Sequence, residues 1–191
     1  MATFLVFDTE TTGLPSSYSM VSPKTLQNWD SCRMVQIAWI IYKDTELVKK
    51  ECYTIKPNGF TISESSTNIH GITNEFANIN GHNITDILVK FFTDIKDNNV
   101  DTIVAHNLSF DKNVINSEVF RCKDTIGESY KIWNKQKFFC TMKSLTRKGQ
   151  KWPKLAELYK QICGGEPQGT LHTADADAQI CADIYLKVKD K

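Results

Sequence analysis

Two carboxylates separated by one residue, Asp8 and Glu10, follow directly on the apolar run Phe4-Leu5-Val6-Phe7. Side chains alternate along a strand, so Asp8 and Glu10 stand on one face with Phe4 and Val6, while Leu5, Phe7 and Thr9 take the other. Like charges at that spacing repel, and burial strengthens the repulsion, so the pair calls for a cation between them. A hard divalent ion with oxygen ligands, Mg²⁺ or Mn²⁺, is the simplest one. The alternative is a strand that runs out into a polar, solvated turn, since ion-pair networks also gather carboxylates. Asp111 and the stretch Leu171-His172-Thr173-Ala174-Asp175-Ala176-Asp177-Ala178 supply further acids and a histidine. A histidine near a metal carboxylate is suited to taking a proton from water, although a lone histidine is as readily structural.

The elements around these residues must bring them together. Phe4 to Phe7 reads as a strand buried on both faces, and Gly13 ends it with a free turn. An irregular stretch from Leu14 to Arg33 follows, with Trp29 read as exposed, and it is long enough to be a lid or binding loop. Met34 to Tyr42 is a strong strand, Lys43-Asp44-Thr45 a hairpin turn, and Glu46 to Lys56 a more polar partner strand. Ser63 to Asn68 is a short helix. Thr85 is expected to cap a helix with the apolar stripe Ile87, Leu88, Phe91, Phe92 and Ile95. Asp101 to His106 is a fourth strand, followed by a helix capped by Ser109 and running from Phe110 to about Arg121. That helix carries Asp111 in its first turn, on the side of Val114, Ile115 and Val119; favourable placement near the helix dipole is the plainer explanation. Phe138 to Thr141 is a fifth strand, and Pro153 and Gly164 bracket a helix with Leu155, Leu158, Tyr159 and Ile162 on one face. Thr173 is expected to cap a last helix running nearly to Lys191. There Asp177 aligns with the apolar stripe Cys181, Ile184 and Val188, whereas Asp175 aligns with Gln179, Asp183 and Asp190. The pattern is α/β, a mixed sheet of about five strands with helices packed on it.

The 191 residues fit one domain, 1–191, with the 14–33 loop flanking its site. Hydrophobic content of 41% and charged content of 24% are those of a soluble globular chain. No apolar run is long enough to span a membrane and no signal peptide precedes the first strand, so no membrane partner is expected. Six scattered cysteines without metal-ligand spacing read as reduced thiols, which places the protein inside the cell, in cytoplasm or nucleus. A net charge of +1 means that any nucleic-acid binding comes from local patches and metals. One such patch is Lys143, Arg147, Lys148, Lys151 and Lys154 around Trp152 and Pro153; it reads as a strand-tracking surface or, more plainly, as a solvated loop.

Phe7-Asp8-Thr9-Glu10-Thr11-Thr12-Gly13-Leu14, then Ala105-His106-Asn107-Leu108-Ser109-Phe110-Asp111, then His172 through Asp177-Ala178, form an ordered set with Asn68-Ile69-His70-Gly71-Ile72-Thr73 between the first two. Together they resemble the DEDDh branch of the DnaQ-like 3′→5′ exonucleases. The resemblance implies a ribonuclease H-like fold, two Mg²⁺ (or Mn²⁺) held by Asp8, Glu10, Asp111 and Asp177, and His172 as general base. Two ions about 3.5–4 Å apart can activate a water and stabilise the leaving 3′ oxygen, so no serine or cysteine nucleophile is needed. The resemblance further places Thr11 and Leu14 beside the last base and His70 and Asn107 near the terminal nucleotide. It implies a single-stranded substrate with a free 3′ end, DNA first and RNA second, the latter as in ribonuclease T and oligoribonuclease. No polymerase domain is recognisable here, so proofreading would require a polymerase or another replication or repair protein as partner. Two other functions compete. A catalytically silent binding subunit is disfavoured by the complete set of acids and histidine, and an endonuclease of the wider fold by the spacing of His172 and Asp177.

Overall fold

The computed structural model describes residues 2–169 and 171–190. Strand β1 (Thr3–Thr11) occupies the centre of a five-stranded sheet of order β3-β2-β1-β4-β5. Its position follows from its composition, because Phe4 to Phe7 are buried on both faces and only a central strand offers cover on both. Strands β2 (Met34–Lys43) and β3 (Glu46–Thr54) pair antiparallel, and β1 pairs antiparallel with β2. Strands β4 (Thr102–Ala105) and β5 (Lys137–Cys140) run parallel to β1. The carboxyl ends of β1, β4 and β5 therefore open on the same edge of the sheet, where sites form in sheets of this kind.

Among the described residues seven α-helices accompany the sheet: α1 (Glu64–His70), α2 (Asn74–Asn80), α3 (Ile84–Asp97), α4 (Leu108–Ile126), α5 (Thr141–Ser144), α6 (Leu155–Cys163) and α7 (Ala174–Val188). Leu5 and Phe7 pack with the stripe Leu88, Phe91 and Phe92 of α3, with Val114 and Ile115 of α4, and with Trp133. On the opposite face Phe4, Val6, Ala38 and Ile40 meet Ala174, Ala178, Cys181 and Ala182 of α7. Three alanines at four-residue intervals, each wholly buried, let α7 lie close against the sheet. Polar ties register the layers. The buried Glu118 of α4 accepts from the Arg33 guanidinium and from Met34 N at the start of β2. The Asp94 carboxylate of α3 accepts from Trp39 Nε1 and pairs with Lys49 of β3.

Several boundaries differ from the sequence reading, each for a local reason. Asn83, not Thr85, caps α3, its Oδ1 accepting from Thr85 N. The fourth helix starts at Leu108, ahead of Ser109, because Asn107 takes a left-handed backbone (φ 54) and turns the chain out of β4 at once. It also runs on to Ile126. The third strand stops at Thr54, and the last helix ends at Val188. Trp29 is 0% exposed rather than exposed, its Nε1 donating to Ser19 O and its ring packing against Phe110 of α4. That contact, together with Val21 N donating to Asn113 of α4, seats the 14–33 loop on the body of the protein.

Candidate active site

Asp8 and Glu10 project from the last turns of the pleat of β1 onto the face covered by α7. A register irregularity at Glu10/Thr11 shifts the pairing with β2 immediately beyond them, from Glu10 opposite Gln36 to Thr11 opposite Met34. Helix α7 begins over this spot. Its first amide, Ala174 N, donates to the Gln36 side chain (2.9 Å), and Gln36 is the β2 residue directly opposite Glu10. The helix start is thus pinned to the acid pair, and Asp177, one turn in, reaches it. One carboxylate oxygen from each of Asp8, Glu10 and Asp177 lies within 4.8 Å of the others.

Asp111 approaches from the other side. The abrupt turn at Asn107 puts it in the first turn of α4, 3% exposed, with Oδ1 accepting from both Thr9 N (3.2 Å) and Thr9 Oγ1 (2.7 Å). It lies beside the trio rather than within it, one oxygen committed to Thr9. His172 sits at the start of the helix, exposed, in the left-handed region (φ 67), a conformation uncommon outside glycine. Its backbone N–H and ring are close enough to favour the charged form of Asp177.

The electrostatics are those of crowded anions. Burial, and then the charges of Asp111, Asp177 and Glu10, push the Asp8 carboxyl well above its ordinary value. Burial and the charge of Asp177 push Glu10 up from 4.5 to about 7. Asp111 and Asp177 are raised as well, chiefly by burial, the former against the opposing effect of its Thr9 hydrogen bonds. Asp177 Oδ1 is buried without a hydrogen-bond partner. An orphaned oxygen on a carboxylate that gathers with two others is what a divalent cation satisfies, so these residues fit a metal.

A cleft of about 910 Å³ is lined by Asp177 and His172 together with Asn107, Phe110, Tyr18 and Trp152. Of the residues expected at the terminal nucleotide, Asn107 lines this cleft. Thr11 stands at the end of β1 with its hydroxyl turned to Gly13 O, Leu14 is 65% exposed, and neither lines the cleft. His70 is 5% exposed; its Nδ1 accepts from Ile72 N, which puts the proton on Nε2. That Nε2 makes no well-formed hydrogen bond, the Thr11 carbonyl being the acceptor beside it. Gln36 is the positioning residue that motif reading passed over; in the sequence it stands out only as a lone amide inside the apolar run Met34 to Tyr42, which does not name its partner.

Residues 5–185 match the family model described as Exonuclease. This chain belongs to the exonuclease family. Over 115 residues it is 36% identical to the DNA polymerase III subunit epsilon of Buchnera aphidicola, a match covering 60% of this chain and 44% of that protein. It is 32% identical over 116 residues to the PolC-type DNA polymerase III of Listeria monocytogenes, covering 61% of this chain but 7% of that protein. The chain thus spans less than half the length of these relatives. E. coli exonuclease I in complex with a dT13 oligonucleotide superimposes with a TM-score of 0.72 at 20% identity, over 99% of this chain and 41% of the other. Exonuclease I from Methylocaldum szegediense gives 0.72 at 17% identity. At such identities the likeness is one of fold, and that fold is ribonuclease H-like. The resemblance to the DnaQ-like 3′→5′ exonucleases therefore holds for family and architecture.

Proposed function

We propose that this chain hydrolyses phosphodiester bonds stepwise from the 3′ end of single-stranded nucleic acid, DNA in preference to RNA, with divalent metal. The observation that carries the reading is the convergence of Asp8, Glu10 and Asp177 within 4.8 Å, with Asp177 lining a cleft and one of its buried carboxylate oxygens left unsatisfied. Asp8, Glu10 and Asp177, with Asp111 adjoining, are the residues to hold Mg²⁺ or Mn²⁺, two ions in the full assembly. Bound there, the metal supplies charge neutralisation for the attacked phosphate and the departing 3′ oxygen. The chain's own share is separate. The Thr9 hydrogen bonds orient Asp111, and Gln36 fixes the start of α7 and with it Asp177. His172, at the cleft and beside Asp177, is placed to take the proton from the attacking water. The cysteines that feel the acids, Cys32 and Cys181, are buried thiols whose pKa values burial raises, which favours water as the attacking group. The kinship with a polymerase subunit makes a polymerase the partner to test first.

A 5′-end-labelled DNA strand and its RNA counterpart, incubated with the protein and Mg²⁺, test the reading. A descending ladder with release of mononucleotides is expected, faster on DNA and abolished by chelation. Activity that survives chelation, or efficient cutting of a circular strand, overturns it.

A further inference from the structure

The segment between α5 and α6 carries an arrangement that the acids and His172 do not use. The chain has four tryptophans, and Trp29, Trp39 and Trp133 are each 0% exposed in the core. Trp152 is 57% exposed, a large apolar ring presented to solvent on the wall of the cleft that holds Asp177 and His172. A ring on a merely solvated loop needs no fixed backbone, yet this one is anchored on its C-terminal side by two successive hydrogen bonds. The next residue, Pro153, has its carbonyl 3.2 Å from His106 Nε2 at the end of β4. A carbonyl only accepts, so Nε2 carries the proton, and Nδ1 then accepts from Thr141 Oγ1 (3.0 Å). The residue after that, Lys154, donates its backbone N–H to Glu157 Oε2 (2.9 Å) at the start of α6. Trp152 is therefore tied to the carboxyl end of β4, the same edge that positions Asp111. Lys143 Nζ lies 5.4 Å from the centre of the indole, and Lys143 and Lys154 both line the cleft. A second exposed ring, Tyr18 of the 14–33 loop, also lines the cleft.

We propose that the Trp152 indole is a stacking platform for a base on the 5′ side of the nucleotide being removed, with Lys143 and Lys154 meeting the adjoining phosphates. The inference rests on the exonuclease reading for what lies at Asp177, but the stacking itself does not depend on turnover. An anchored aromatic face beside cations is the combination that holds single strands without reading sequence. It also explains the size of the cleft, at the upper end of the roughly 300–1,000 Å³ that encloses small ligands. Such a contact makes affinity grow with strand length, because a substrate too short to reach Trp152 gains nothing from it.

The burial of the other three indoles makes the test specific, since Trp152 is the one whose emission a bound base can quench. A ten-nucleotide oligo-dT is titrated into the chain carrying Asp177→Asn, with binding followed in parallel by anisotropy of a labelled strand. Saturable quenching of the red-edge emission is expected. Adding Trp152→Ala weakens binding about tenfold, whereas Trp152→Phe retains most of the affinity and removes the quench. In the otherwise unsubstituted chain, Trp152→Ala raises KM about tenfold on the same strand and distinctly less on a dinucleotide, with kcat little moved. Absence of quenching on a bound strand overturns the proposal. So does parental affinity in Trp152→Ala, or an equal loss on both lengths that Trp152→Phe fails to restore. If Trp152→Ala does not fold, the quench and Trp152→Phe still decide. If the unsubstituted chain degrades nothing, the exonuclease reading fails while the quench continues to judge the platform.

Discussion

Two aspartates two positions apart on α7 have different surroundings. Asp177 gathers with Asp8 and Glu10 and has a buried carboxylate oxygen without a hydrogen-bond partner, whereas Asp175 lies near Cys52 of β3. An α-helix turns about 200° between them, so both cannot serve one centre. Asp177→Asn is expected to abolish turnover and Asp175→Asn to leave it within about twofold, measured on folded protein with saturating Mg²⁺. Equal losses would contradict the geometry. His172 makes a different demand, being exposed and placed to move a proton rather than to hold a ligand. His172→Ala should lower kcat by roughly 10²–10⁴ while KM stays near its starting value. A rise in KM matching the fall in rate would assign the side chain to substrate binding instead.

At the scale of elements, the start of α7 is a joint between sheet and site. Ala174 N has the Gln36 amide as its acceptor, and the Thr173 side chain supplies no cap there. Gln36→Leu keeps the volume but removes the acceptor, which should cost about 0.5–2 kcal/mol, the usual range for a lost helix cap. Thermal unfolding should show a fall of a few degrees, and the Mg²⁺ concentration giving half-maximal rate should rise because Asp177 is no longer held against Glu10. Unchanged melting and unchanged metal dependence would reject the role. This joint also marks where the sequence was legible and where it was not. The alternation of Phe4, Val6, Asp8 and Glu10, and the four-residue spacing from Asp177 to Cys181, lie in local periodicity and could be read directly. The bond from Gln36 to Ala174 joins residues far apart in the chain, and no local pattern announces it. The cap of α4 was misread for a related reason. Asn107 turns the chain by adopting a positive φ without any side-chain cap, so Ser109 looked like the better candidate. The buried Trp29 likewise shows its place only through its contacts with Ser19 and Phe110.

For the molecule as a whole, the crowded acids set a stability that depends on pH and metal. Glu10 is raised from 4.5 to about 7, so between those values the folded chain keeps a proton that the unfolded chain releases. Unfolding then liberates protons, and the metal-free protein loses this contribution as pH rises from about 4.5 to about 7. Asp8 and Asp111 act in the same direction, while the buried His70 and the half-buried His106, whose pKa values desolvation lowers, act in the opposite one. The metal isolates the first effect, because it takes the place of the protons. The rise in Tm on adding Mg²⁺ should be larger at pH 8 than at pH 5, and a rise of equal size at both would mean that the metal does not sit among these acids. The centre also joins the first strand of the chain to its last helix. A growing polypeptide emerges from the ribosome N-terminus first, so Asp8 and Glu10 are made long before Asp177. Until α7 docks, the apolar face of Phe4, Val6, Ala38 and Ile40 lies bare and the trio of acids lacks its third member. A chain made only as far as β5 is thus sticky, and its acid trio is complete only once α7 has been made and docked.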